Sequence, residues 1–141
     1  MRIRKCEVTQ VKAVYHLICE LSEKCFDYKN FQQIFNHKLK TNSNYCIVAI
    51  EDGEVVGFLN LYIDYQLHHG RKVATIEELI VNAKYRSHGM GTLLLEDAIA
   101  HARNNNCEVI ELSSHISREG AHRFYFKSGF EKSSFKFKMK L

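Results

Sequence analysis

"VATIEELIV" (73–81), "YRSHGMG" (85–91) and "TLLLEDAIAHARNNN" (92–106) lie close together along the chain. They are an apolar run, an arginine with two glycines, and a segment whose Leu94, Leu95, Ala98, Ile99 and Ala102 recur at helical spacing. The pattern predicts a strand, a glycine turn and a helix. Such a turn aims several backbone N–H groups, and the positive end of the helix dipole, at one point in space. That point binds an anion. Gly89 and Gly91 remove the Cβ atoms that would block close approach, and Arg86 offers a forked cation suited to phosphate oxygens. For an isolated R-x-x-G-x-G the plainer reading is a turn needed only for packing, so the surroundings must decide. No Gly-Lys-Ser/Thr follows, and the dinucleotide fingerprint wants an acidic residue closing a second strand, where this chain has "CEVIELSS" (107–114). A nucleoside triphosphate and NAD are both disfavoured.

Working outward, "YCIVAIEDGEVVGFLNLYID" (45–64) holds two β-rich runs around Asp52-Gly53, a pair that favours a tight hairpin. Residues 2–8 alternate as a first strand, and Thr9 can cap a helix carrying Val11, Val14, Tyr15, Ile18 and Leu21 to about Lys24. A second helix is expected over Asn30–Leu39. Downstream, 107–114 reads as a strand, 118–129 as a helix stopped by Gly129, and "FEKSSFKFKMK" (130–140) as a last strand or pair with one buried face. The order βααβββαβαβ implies one α/β domain over 1–141, a mixed sheet with helices on both faces.

With 141 residues, 45% hydrophobic and 26% charged, the composition is that of an ordinary globular chain. Twenty Lys+Arg against 16 Asp+Glu leave a net charge of +4. That is too little to argue for nucleic acid without clustering, and the lysines at 136, 138 and 140 read as the solvated face of a strand. No apolar run approaches bilayer length and residues 1–10 lack a signal-peptide core, so a cytoplasmic protein without membrane contact is expected. The five cysteines are odd in number and widely spaced, as reduced thiols would be, and no C-x-x-C pair offers a thiolate zinc site.

"VNAKYRSHGMGTLLLEDAIAHA" (81–102) resembles the acyl-CoA signature of the GNAT N-acetyltransferases, and "AHRFYFKSGF" (121–130) resembles their second signature. Asn82-Ala83 stands where a proline is usual. The resemblance covers essentially the whole chain. It implies a mostly antiparallel mixed sheet whose parallel strands, 73–81 and 107–114, splay apart to admit acetyl-CoA. Pyrophosphate would lie on Arg86, Ser87, His88, Gly89, Met90, Gly91 and Thr92, and the pantetheine arm along Leu79, Ile80 and Val81, with Phe124 and Lys127 also on the cofactor. Tyr125 is matched to the phenol that serves as general acid to the departing thiolate, although "FYF" in an amphipathic helix also reads as core.

Transfer to an amine needs the amine neutral, and so a base. Thr75 stands where the resemblance would put a glutamate, so the role passes to Glu77, Glu78, a histidine or a water chain, with Glu78 the first choice. Neighbours on a strand point to opposite faces, so at most one of the two glutamates faces the gap unless a bulge intervenes.

"VYHLICEL" (14–21), "DGEVVGFLNLYIDYQLHH" (52–69) and "ELSSHISREGAHRFYFKSGF" (111–130) resemble in particular the bacterial aminoalkylphosphonate N-acetyltransferases. This implies a small phosphonate-bearing amine as acceptor, with His68, His69, Ser113, Arg118 and Arg123 as candidate contacts. It also implies a divalent metal, for which His68 and His69 are the candidate ligands, although two solvated loop histidines are the plainer reading. Other superfamily acceptors, a non-catalytic acyl-CoA sensor and, by the same resemblance, a homodimer remain open.

Overall fold

The computed structural model describes residues 1–141. Strands β1 (Arg2–Lys5), β2 (Asn44–Glu51), β3 (Glu54–Gln66), β4 (Arg71–Val81) and β5 (Val109–Leu112) form one sheet in the order β1-β2-β3-β4-β5. All pairs are antiparallel except β4–β5, which is parallel. Asp52 and Gly53 both take positive φ, 50° and 78°, as a two-residue turn demands, and they close the β2–β3 hairpin on the pair Glu51↔Glu54.

Helices α1 (Val11–Ser22) and α2 (Tyr28–Lys40) cover one face of the sheet, and α3 (Met90–Asn104) covers the other. The period of two along β2 sorts its residues accordingly. Cys46 and Val48 join Val14, Leu17, Phe35, Phe58 and Ile80 beneath α1 and α2, while Ile47 and Ala49 join Leu59, Leu61, Leu94 and Ala98 beneath α3. α4 (Glu119–Lys127) follows β5, and its Phe124 packs against the α3-side core.

Two expectations are corrected. Thr9 does not cap α1: the chain enters through a 3-10 turn over Val8–Gln10, where Gln10 Oε1 accepts from the Glu7 N–H at 2.8 Å. More substantially, residues 130–140 form no strand, and Phe135, Phe137 and Met139 stand exposed rather than on a buried face. An alternating pattern says that one side of a segment wants burial, but it does not name the partner, and no element of the same chain lies against this one.

Gly57 marks how closely α3 approaches the sheet. A Cβ there would lie 3.1 Å from Leu94 Cδ1, 3.2 Å from Ala49 Cβ and 3.3 Å from the Ile80 carbonyl oxygen. Two of those neighbours cannot swing away. Gly57→Ala is expected to destabilise the protein by about 1–3 kcal/mol through overpacking, read as a lower urea midpoint at unchanged slope.

Candidate active site

The parallel pairing of β4 with β5 runs from Val73↔Val109 to Ile76↔Leu112 and stops. β4 continues to Val81, bonded to β3 on its other edge, so Leu79–Val81 present an edge that no strand of this chain covers. This is the splay expected of the parallel pair. The Ile80 side chain points away, into the core under α1, so only its backbone faces the gap.

At the mouth of the splay β4 is irregular. Asn60 is opposite Glu78 and Leu61 is opposite Ile76, so Glu77 is an extra residue, a β-bulge. A regular strand would send the two carboxylates to opposite faces. Here both reach the same amide: Asn60 Nδ2 donates to Glu77 Oε1 at 3.0 Å and to Glu78 Oε1 at 2.9 Å. Asn60 is only 3% exposed, and its oxygen is also satisfied, accepting from Asn44 Nδ2 at 3.0 Å and from Cys46 Sγ at 3.4 Å. Burial pushes the Cys46 thiol up to about 12, so it remains a protonated donor. Lys38 of α2 sits 3.2 Å from Glu77.

Burial raises the Glu78 carboxyl above the ordinary range. The Asn60 hydrogen bond and Lys38 oppose the shift, and the Glu77 charge adds to it. Such a carboxylate is a stronger base than a solvated one. Two cavities meet at the Glu77–Glu78 pair. One, of about 200 Å³, runs past Leu79 to the end of β5 and α4, where Ser113, Ser114, Arg118 and Tyr125 line it. The other, of about 250 Å³, lies beneath α1 and α2, walled by Phe26, Phe31, Phe35 and Lys38. Tyr125 is buried, and that burial raises its phenol, with the Arg118 guanidinium pulling the other way. The Ser114 hydroxyl is buried and bonds to nothing in the chain.

Beyond β4, a short turn over Ala83–Tyr85 leads into the glycine loop. Ser87 and Gly89 take φ of 67° and 83°, and Gly89 is the residue before α3. The Leu93 N–H bonds back to the Gly89 carbonyl, which leaves the first-turn amides of Met90, Gly91 and Thr92 without helical partners. Gly91 is a different case from Gly89. Its φ is not positive, and a Cβ there would make only ordinary contact, 3.4 Å from Phe124 Cζ. Glycine in a helix costs about 1 kcal/mol against alanine, and nothing inside this chain requires it. Arg86 is held by the Val81 carbonyl at 3.0 Å and lies 3.7 Å from Glu20 of α1.

The structure thus gathers Glu77, Glu78, Leu79, Ser113, Arg118 and Tyr125 around one cavity, and Arg86, Ser87, His88, Gly89, Gly91 and Thr92 along one loop with Phe124 beside it. The Met90 side chain is core, so only its amide belongs to the loop. Lys127 is exposed in the last turn of α4. His68 and His69 are a correction. They sit on the β3–β4 turn, before β4 begins, and neither lines the cavities at Glu78. Their ring centroids lie 4.3 Å apart with the planes tilted by 43°, and His69 lies 3.8 Å from Glu111. No three His, Cys, Asp or Glu side chains converge as a metal requires, so the residues present do not fit the implied metal. Arg123 is a second correction, exposed on α4 and folded back over Gly120. Asn60, Asn44, Lys38 and Ser114 are site residues that the sequence reading missed. The available signal was one amide in the apolar run "VVGFLNLYI" (55–63).

The model of the acetyltransferase (GNAT) family matches residues 11–130. An aminoalkylphosphonate N-acetyltransferase of Salmonella typhimurium is 36% identical over 135 residues, which is 96% of this chain and 88% of that protein. Among solved structures, a protein described as a transcriptional regulator from Bacillus halodurans superposes with a TM-score of 0.90 at 26% identity, covering 99% of both chains. An aminoglycoside N-acetyltransferase crystallised with CoA has the same fold, with a TM-score of 0.88 at 17% identity over 99% of this chain and 93% of its own.

Because Asn60 stabilises the charged form of Glu78, Asn60→Leu is expected to raise the Glu78 pKa further. A carboxyl-detected NMR titration reads this directly, and an unchanged or lowered value would contradict the arrangement.

Proposed function

The chain belongs to the acetyltransferase (GNAT) family, and on that premise we propose that it moves the acetyl group of acetyl-CoA onto the primary amine of a small aminoalkylphosphonate. It is an N-acetyltransferase; the acceptor and the residue roles are our reading. The observation that carries the reading is the pair of cavities with Glu77 and Glu78 as their shared wall. A donor in one and an acceptor in the other would meet at a base.

On this reading acetyl-CoA enters the splay. Its pyrophosphate lies on the free amides from Arg86 to Thr92, where Arg86 exchanges Glu20 for phosphate, and its pantetheine arm bonds the open edge of Leu79, Ile80 and Val81. Phe124 and Lys127 flank the nucleotide side. The amine arrives as an ammonium, and Glu78 takes its proton directly or through water, with Glu77 holding the second negative charge beside it. The nitrogen then attacks the thioester carbonyl, the C–S bond breaks, and Tyr125 gives its proton to the thiolate. No step is assigned to a metal, to His68 or His69, or to Arg123.

The phosphonate assignment rests on the likeness to the Salmonella enzyme over most of both chains and on two cations, Arg118 and Lys38, on either side of the carboxylate pair. A second reading has one observation in its favour. The aromatic wall of Phe26, Phe31 and Phe35 suits an amine with an apolar body. The protein would act in the cytoplasm as a single catalytic domain, working in pairs.

A thiol-release assay with acetyl-CoA against aminomethylphosphonate, 2-aminoethylphosphonate, spermidine and an aminoglycoside, with and without EDTA, tests the acceptor. Turnover is expected with the phosphonates. CoA binding with silence toward every amine would make the chain a sensor instead. A base works only when ionised, so activity is present above the Glu78 pKa and falls as pH drops through it. Because that pKa is raised, the acid limb should lie above the ordinary glutamate range. Glu78→Gln should abolish the limb and lower kcat by about 10²–10⁴, and Tyr125→Phe should lower kcat with the limb retained. Separately, Gly91→Ala should keep or gain up to about 1 kcal/mol of stability by denaturation while weakening CoA binding by calorimetry. Undiminished CoA affinity would remove Gly91 from the phosphate site.

A further inference from the structure

The surroundings of the Glu77–Glu78 pair include a group of the very kind that an N-acetyltransferase consumes. Among the residues lining the two cavities, Lys38 alone carries a primary amine. It belongs to the last turn of α2, and its side chain is drawn inward rather than released to water. Its Nζ donates to Glu77 Oε1 at 3.2 Å and lies 5.8 Å from the centre of the Tyr62 ring, and the side chain is only 34% exposed. Lys40, further along the same helix, is exposed. A cation needed only to offset carboxylate charge has no reason to lie in a cavity, yet Lys38 lines the one beneath α1 and α2.

We infer that, in the absence of a small amine, the protein acetylates its own Lys38. The inference rests on the proposed function, in which acetyl-CoA fills the Tyr125 cavity and the amine fills the other. Glu77 lines both cavities, so a nitrogen in contact with it stands where the acceptor nitrogen must stand. The flexible four-carbon stem lets that nitrogen move while α2 stays in place. One proton passes from the Lys38 ammonium to Glu77, which already accepts its hydrogen bond, and from there to water. The nitrogen attacks the thioester carbonyl, a C–N bond forms and the C–S bond breaks. The second proton shed by the nitrogen ends on the CoA sulfur by way of Tyr125. Cys46, the other nucleophile in the same cavity, does not compete: burial pushes its thiol up to about 12, and its proton is bonded to Asn60.

An acetyl group on Lys38 changes the site. The nitrogen becomes a neutral amide, which removes the charge that offsets Glu77 and Glu78 and also one of the two cations assigned to the phosphonate. The modified chain therefore holds a phosphonate-bearing amine less well. The acceptor is in turn protective, because an amine seated in the cavity keeps the Lys38 nitrogen from the thioester and its phosphonate engages Lys38 as a counter-ion. Self-acetylation is thus the fate of donor-loaded protein that lacks an acceptor.

The full chain incubated with deuterated acetyl-CoA and no amine, then read by peptide mass spectrometry, tests this. Deuterated acetyl is expected on Lys38 well ahead of Lys40, which measures spontaneous labelling, and with a rate constant independent of protein concentration, as a reaction within one chain requires. Glu77→Gln should slow the labelling of Lys38 by about 10²–10⁴-fold and leave that of Lys40 unchanged. Should that variant not fold, the wild-type chain unfolded in urea replaces it, and Lys38 must then label no faster than Lys40. Lys38 labelled no faster than Lys40 in the folded chain, labelled equally fast in Glu77→Gln or in urea, or labelled with a rate constant that rises with protein concentration overturns the inference. Thiol release with an added amine but no label on Lys38 sinks the inference and leaves the proposed function standing. Label on Lys38 with no added amine turned over spares the inference and removes the small amine from the proposed function.

Discussion

The site is organised by one buried amide. Asn60 sits in the run of six buried residues, Val56–Leu61, of β3, and its four hydrogen-bonding positions are all taken: two donors to two carboxylates, and an oxygen receiving an amide and a thiol. A buried side-chain amide left without partners would cost several kcal/mol at most and about 1 at least. Satisfying it fixes where Glu77 and Glu78 must be. The bulge is the backbone's answer to that demand, since only an extra residue in β4 lets two consecutive side chains reach one point. Two negative charges so close would repel, and Lys38 from α2 offsets part of the repulsion. The helical layer on one face of the sheet thereby becomes part of the electrostatics of the site, not merely its cover.

The same strand sets the shape of the donor side. β4 is bonded to β3 along its full length but leaves β5 after Ile76, so the residues just past the bulge carry an open hydrogen-bonding edge into a cavity. An extended ligand arm can occupy that edge as a strand would. The glycine loop lies at the end of the same strand, which puts the unpaired first-turn amides, the open edge and the carboxylates in sequence along β4. One element therefore sets the order in which the parts of a long ligand meet the protein.

Much of this was legible in the sequence. Strand, glycine turn and helix, the Asp52-Gly53 hairpin and the two signatures carry periodicity or turn chemistry that is local, and local signals survive into the fold. The bulge at Glu77 was not legible. Its cause is Asn60 on a different strand, and the residue pattern of β4 alone reads equally well with or without it. His68 and His69 lie away from the carboxylates for a related reason: adjacency in sequence suggested a ligand pair, but the first six residues of β4, 71–76, separate that turn from Glu77. The final segment shows the limit of pattern reading most plainly, because Phe135, Phe137 and Met139 have the right alternation for a strand and yet stand exposed.

Burial acts on the two proposed proton carriers in the same sense, and that sense suits both roles. Removing a carboxyl from water disfavours its charged form, so Glu78 holds a proton more tightly once it has taken one from an amine. Removing a phenol from water does the same, so Tyr125 stays protonated and able to donate. A thiol is ordinarily more acidic than a phenol, so donation to a freshly released thiolate needs the phenolate stabilised, and the Arg118 guanidinium next to Tyr125 acts in that direction. In the proposed roles, one cause, exclusion of water, makes the glutamate a better proton acceptor and keeps the tyrosine protonated, and Arg118 would supply the positive charge that the second transfer needs.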